Sequence, residues 1–179
     1  MSPTIYIAED ELDLVNGAMS ELWHVDKYRF EQVDLAEASD THYWMNLHIQ
    51  TDDLIVLDLN FKEYRDPTTQ QKAALVCSGK DILARLEQCK QQGYVLELER
   101  VLIATSNVRE IDPRNPSWDI AKIEGFDVYG LAKGIDARGK VINYGESLVQ
   151  RIKDIYADPK QERIHPLNYG WRDKSEIPR

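Results

Sequence analysis

At 179 residues, with 42% hydrophobic and 30% charged side chains, the chain suits one globular domain with a sizeable core and some additions; disordered, collagenous and small disulfide-scaffold classes are excluded. Its 22 Lys and Arg against 31 Asp and Glu give a formal net charge of −9, which argues against nucleic acid as the partner. No apolar run approaches the ~20 residues of a membrane helix, and Met1–Glu11 lacks a basic stretch followed by an apolar one, so a cytoplasmic protein with no membrane attachment is expected.

Taken in chain order, the first strand signal is Ile5–Ala8, followed by a helix-period stretch over Glu11–Leu22. Tyr28–Leu35 alternates more loosely, as an edge strand with one solvated face does, and roughly Glu37–Ile49 reads as a helix in which Tyr43 and Trp44 make core contacts. Leu54–Leu57 is a third strand. Gly79–Gln92 is a helix, with Ile82, Leu83, Leu86 and Cys89 on one face. Val101–Ala104 and Phe126–Ala132 are strands, with helices expected over Trp118–Glu124 and Glu146–Tyr156. Alternating strand and helix predicts a doubly wound parallel sheet covered on both faces, because parallel neighbours need right-handed crossovers.

Two connections exceed ordinary loops, 61–78 and 107–117, and both leave the carboxyl end of a strand. The first is expected to be a surface excursion with a short helix around Gln70–Cys77; a lid over Asp58 and a partner surface are the other readings. Trp118 is expected to anchor the second excursion by packing. The tail, 157–179, carries Pro159, Pro166 and Pro178 and lacks an apolar period, so the domain is placed at 1–156 and the remainder is an extension. Within it, His165, Tyr169 and Trp171 with Arg163 and Arg172 could form a docking peptide, wrap the domain or stay disordered. Cys77 and Cys89 lack metal-ligand spacing, and His24, His42, His48 and His165 are scattered, so neither type is expected to hold a metal.

Chemistry in open α/β sheets gathers outside the carboxyl ends of the strands. Here those ends carry Glu9 and Asp10 (IYIAEDE), Asp58 (LIVLDLN), Thr105 (VLIATSN) and Lys133 (VYGLAKG). Each has an ordinary reading alone: a helix N-terminal charge, a turn residue, a strand-end hydroxyl, a solvated amine. Together they are chemically coherent. Two carboxylates about 4 Å apart repel by roughly 4 kcal/mol at an effective dielectric near 20, so three acids in one crevice call for a cation. Hard oxygen ligands with open positions suit Mg²⁺ and phosphate oxygens, and such a set supports phosphoryl transfer to a carboxylate.

Carrying an acidic pair after the first strand, Asp after the third, Thr after the fourth and Lys after the fifth, the chain resembles the receiver domains of two-component response regulators over roughly Ile5 to Tyr156. The resemblance implies the flavodoxin-like strand order 2-1-3-4-5, an order the family itself exemplifies. It implies phosphorylation of Asp58 and Mg²⁺ held by Asp10 and Asp58, by the backbone carbonyl of Asn60, and by Glu9 through water. Thr105 would approach the phosphoryl group and Lys133 would pair with it. The implied partners are a histidine kinase or phosphotransfer protein and a downstream protein target, with the chain a monomer or homodimer that signals by protein contact and is no metabolic enzyme. Gly134 stands where the family has Pro, Gly130 where it often has an aromatic, with Tyr129 one place off, and Ser106 where Ala is common. These departures keep open a pseudo-receiver that works without phosphorylation. A haloacid-dehalogenase-type phosphohydrolase would need Asp at position 60 and its metal-binding acids late in the chain. Asn60 and the early Glu9–Asp10 pair exclude it.

Overall fold

The computed structural model describes residues 2–10, 27–61, 64–65, 72–73, 78–93, 97–106, 108–112, 125–133 and 143–163. The helices expected over Glu11–Leu22 and Trp118–Glu124, together with Cys77, Gly134 and the tail beyond Arg163, lie outside these residues.

Five strands form one parallel sheet: β1 (Thr4–Ala8), β2 (Arg29–Gln32), β3 (Leu54–Asp58), β4 (Arg100–Thr105) and β5 (Asp127–Ala132). Their spatial order is β2-β1-β3-β4-β5, the expected 2-1-3-4-5, and every pairing is parallel. β3 is buried at every residue and β4 at all but its first, so continuous apolar runs are needed there, whereas the edge strand β2 exposes Arg29, Glu31 and Gln32. Three helices are described: α1 (Thr41–Asn46), α2 (Gly79–Gln91) and α3 (Tyr144–Ala157).

The two-residue period of the strands divides the core into two layers. Tyr6, Ala8, Ile55, Leu57, Val101, Ile103 and Val128 pack with α1 and α2 through Trp44, Ile82, Leu83 and Leu86. Ile5, Ile7, Leu54, Val56, Leu102, Ala104, Tyr129 and Leu131 pack with α3 through Tyr144, Leu148, Ile152 and Ile155. Burying such side chains contributes roughly 1.5–3 kcal/mol each, so the two apolar layers hold the sheet between its helices.

Local departures from the sequence expectations have local causes. The helix expected over Glu37–Ile49 is limited to Thr41–Asn46. Asp34 takes the amide of Ala36 and Asp40 takes that of His42, so short acidic side chains compete for the backbone and delay the helix start. Trp44 is still fully buried, its indole donating to the Ala38 carbonyl, and Tyr43 packs half-buried beside it. The short helix expected around Gln70–Cys77 is corrected: Lys72–Ala73 is a strand, paired antiparallel with Tyr64–Arg65. After β4, a single 3-10 turn occupies Val108–Ile111.

α2 begins hard against β3. Ser78 and Asp81 cap it reciprocally, the Ser78 hydroxyl accepting from the Asp81 amide and the Asp81 carboxylate accepting from the Ser78 amide. The Gly79 amide donates to the Leu59 carbonyl at 3.1 Å. A Cβ on Gly79 would lie 1.8 Å from the Asp58 carbonyl oxygen, so only glycine permits this approach.

At the far end of the chain, the first residues beyond α3 fold back onto β5. Arg151 of α3 donates to the Gly130 carbonyl and pairs with Glu162, Tyr129 donates to the Pro159 carbonyl, and Arg163 pairs with Asp127 at 2.8 Å. The tail therefore contributes to the covering of an edge strand as far as Arg163.

Candidate functional site

Register and parity assemble the rim. Ala8 pairs with Leu57, so the next residues, Glu9 and Asp58, leave adjacent strands side by side. Asp58 follows the side-chain alternation of Leu54 and Val56, Glu9 that of Ile5 and Ile7, and Lys133 that of Tyr129 and Leu131; all three thus fall on the α3 side. The Lys133 amide extends the β4–β5 ladder by donating to the Thr105 carbonyl at 2.9 Å, which fixes its backbone at the rim. From there its side chain spans the intervening β4, where the residue of matching parity is the small Ala104.

Lys133 joins the two acids. Its ammonium donates to Glu9 Oε2 at 2.7 Å and to Asp58 Oδ2 at 2.9 Å. The side chains are 1% exposed for Glu9, 7% for Asp58 and 14% for Lys133, so both ion pairs sit in a water-poor pocket. The other Asp58 oxygen accepts from the Asn60 amide at 3.1 Å. Thr105 is fully buried at the end of β4. Its side chain has the parity of Val101 and Ile103, opposite to that of the acids.

The charges are finely opposed. Burial, followed by the negative charge of Asp58, pushes the Glu9 carboxyl up to about 8 despite the pull of Lys133. Burial also works against the Lys133 ammonium, but Glu9 and then Asp58 outweigh it and hold the amine above its ordinary value. Oxygen atoms from Glu9, Asp10 and Asp58 lie within 4.8 Å of one another, with Asp10 the more accessible of the three. That donor set fits a hard divalent cation such as Mg²⁺, which accepts carboxylate oxygens and keeps open positions for water or phosphate. Among the described residues, His42, His48 and Cys89 join no such group.

One side chain at the site escapes the sequence reading. Tyr144, the first residue of α3, is buried with its ring centroid 4.9 Å from the Lys133 ammonium. Its hydroxyl is buried and interacts with the Glu9 carboxyl. Burial first, then the charges of Glu9 and Asp58 and a side-chain hydrogen bond to Glu9, holds that hydroxyl well above its usual value. The overlooked signal is the N-cap pattern Asn143-Tyr144-Gly145-Glu146, which starts the helix two residues before Glu146; Asn143 accepts from the amides of Gly145 and Glu146.

The departures on β5 also acquire a geometry. Gly130 has the parity of Val128 and of the neighbouring Thr105 side, but no side chain, while Tyr129 faces the opposite layer and is tied to Pro159. A one-place shift along a strand reverses the face, so Tyr129 does not substitute for an aromatic at position 130.

No protein-family profile matches the chain, and no curated protein matches it. Solved structures with a similar course include the signal receiver domain of a LuxO-type repressor protein from Vibrio parahaemolyticus, with 19% identity, 88% of each chain covered and a TM-score of 0.47. A LuxR-family DNA-binding response regulator from Staphylococcus aureus gives 16% identity over 86% of this chain and 98% of its own, with a TM-score of 0.45. The response regulator StyR gives 14%, 90%, 68% and 0.41 for the same quantities. These likenesses are loose. The strand order itself is the flavodoxin-like one, and Glu9, Asp10 and Asp58 gather at the carboxyl rim of that sheet. Among the described residues no helix is long and apolar enough to cross a membrane.

Proposed function

We infer that the chain is a phosphoacceptor module, taking a phosphoryl group onto Asp58 from a phosphohistidine of a histidine kinase or phosphotransfer protein and signalling through contact with a downstream protein. The observation that carries this reading is the convergence of Glu9, Asp58 and Lys133 within hydrogen-bond distance, with Asp10 completing a three-acid group. Glu9, Asp10, Asp58 and the backbone carbonyl of Asn60 would hold Mg²⁺, whose role when bound is to offset charge between the carboxylate and the incoming phosphoryl oxygens.

The chain's own part follows from its donors. An Asp58 oxygen forms the new O–P bond as the N–P bond of the phosphohistidine breaks; the electron pair returns to the imidazole, which takes up a proton. Lys133 turns its ammonium from the two carboxylates to a phosphoryl oxygen, and the Thr105 hydroxyl donates to another. Self-phosphorylation from small phosphodonors and slow hydrolysis of the acyl phosphate are the only reactions assigned. The receiver-like unit is 1–156, with insertions at about 61–78 and 107–117, and 157–179 is an extension; the protein acts in the cytoplasm as a monomer or homodimer.

Intact-mass measurement after treatment with acetyl phosphate and Mg²⁺ tests the assignment. Wild type should gain one phosphoryl adduct that requires Mg²⁺, and Asp58→Asn should gain none; an equal adduct on the variant rejects Asp58 as acceptor. A second reading, a pseudo-receiver that binds its partner without phosphorylation, is favoured by one observation: Gly130 supplies no side chain beside Thr105, and Tyr129 is tied to Pro159 on the opposite layer. Absence of any saturable, Asp58-dependent change with beryllofluoride and Mg²⁺ would select it.

A further inference from the structure

The two edges of the sheet are treated differently. Along β5 the Gly130 carbonyl accepts from Arg151, and the segment beyond α3 is tied down there through Pro159, Glu162 and Arg163. Among the described residues β2 has no such cover: Arg29, Glu31 and Gln32 are exposed, and Phe30 is half-buried.

The bonds to β1 fix which groups of β2 look outward. The Arg29 amide donates to the Pro3 carbonyl and the Val33 amide to the Ile7 carbonyl, each at 2.9 Å. Successive residues of a strand alternate in direction, so Glu31 also faces β1, whereas the N–H and C=O groups of Phe30 and Gln32 face away from it. Neither residue's outward groups have a hydrogen-bond partner among the described residues.

Such an edge is a template for another strand, and exposed charges ordinarily blunt it. The charges of β2 instead match a copy of itself. With a second β2 antiparallel and Phe30 opposite Phe30, the two Phe30 residues exchange both main-chain bonds at the two-fold axis, and Tyr28 faces Gln32 of the second copy. Arg29 then lies opposite Glu31 of the second copy, and Glu31 opposite its Arg29. Both pairs fall at the non-hydrogen-bonded positions, with Cα atoms about 4.5 Å apart, where side chains approach most closely. Arg29 and Glu31 share the face of Tyr6, while Phe30, in register with Ile5, brings its ring to the opposite face. The next registers that keep the outward groups paired are two residues away. They set Glu31 against Glu31 or Arg29 against Arg29, so charge selects the pairing centred on Phe30.

We propose that β2 is a dimerisation edge: two copies of this chain join antiparallel about Phe30 and continue the sheet from one copy into the other. The main-chain bonds supply the association, and the Arg29–Glu31 pairs supply the register, because exposed ion pairs add little energy by themselves. The contact uses no residue of the Lys133 rim and stands whether or not Asp58 accepts a phosphoryl group.

Sedimentation of the full chain at rising concentration, with circular dichroism to verify folding of each variant, tests the proposal. Wild type should pass reversibly from monomer to dimer at concentrations up to about 1 mM, where even weak associations populate. Arg29→Glu sets acid against acid at both pairs and Glu31→Arg sets base against base, and each should weaken the dimer about tenfold. An equimolar mixture of these two variants restores opposite charges at both pairs and should regain association as a heterodimer. Gln32→Pro removes an outward amide that the sheet does not use, and should weaken the dimer while leaving the monomer folded. A wild type that stays monomeric throughout overturns the proposal and leaves the edge to an extended segment of a different protein. A dimer indifferent to both charge reversals, or a mixture that associates no better than its components, overturns it as well.

Discussion

The two ends of the sheet both bury carboxylates, and they stabilise them by opposite means. At the amino end, Asp53 is 5% exposed and accepts from the Thr4 and Gln50 amides, each at 2.8 Å. Those donors are backbone and cannot leave. Nearby, the Tyr156 hydroxyl donates to the Asp52 carbonyl, and the Arg100 guanidinium lies over the Tyr156 ring. At the carboxyl end, Glu9 and Asp58 share a side-chain ammonium that rotation about a few bonds can move. The first arrangement secures the fold; the second leaves its charge balance open to exchange with a ligand. Burial alone therefore does not distinguish the two ends; the kind of donor, backbone amide or side-chain ammonium, does.

Several substitutions would break or sharpen that contrast. The largest stability effect is expected from Lys133→Met, which leaves two buried acids facing each other and should cost about 3–5 kcal/mol in metal-free chemical denaturation. Added Mg²⁺ should restore more stability to this variant than it adds to wild type; no restoration would show that the acids do not share a cation site. Asp53→Ala should cost about 3 kcal/mol through the loss of two charge-assisted bonds, and Mg²⁺ should give no selective recovery. Equal rescue at both ends would dissolve the distinction.

A pH series gives a smaller and directional effect. The folded Glu9 carboxyl titrates near 8 against 4.5 in the unfolded chain, so the folded state binds more protons between those values. Stability in the absence of divalent ions should accordingly fall as pH rises across that window, and Glu9→Gln should flatten the profile. A melting temperature that climbs from pH 5 to 8 in wild type contradicts the opposed charges at the rim. The raised Lys133 value acts elsewhere: its contribution is complete below the ordinary lysine range and is lost as pH passes above it. Least of all, Arg163→Ala should change stability by no more than about 0.5 kcal/mol, because its pair with Asp127 is about a third exposed on both sides.

Much of this was legible in the residues. The runs LIVLD and RVLIAT are apolar because central parallel strands are covered on both faces, and their ends located Asp58 and Thr105 directly. Alternation of strands and helices led to the layered sheet, and the end residues to the rim. What strand-end reading did not supply was the face on which each end residue lies. Counting parity back from Lys133, Asp58 and Glu9 separates them from Thr105 and points to α3, and only then does Tyr144 become visible. A tyrosine at a helix start otherwise resembles any core aromatic. The ribbon strands at Tyr64–Arg65 and Lys72–Ala73 were hidden for another reason: a two-residue strand is shorter than the period needed to reveal it.

The contact between Gly79 and the backbone of Asp58 and Leu59 has an architectural consequence. The backbone leaves β3 at Leu59 and is met there again by Gly79, so these two positions stand as close anchors for the chain between them. Because the entropy of closing such a loop grows only slowly with its length, a foreign peptide or reporter could be spliced between those anchors with little change to the sheet. Fused there, it would stand next to the end of β3 and ride on any shift of the helix that begins at Gly79.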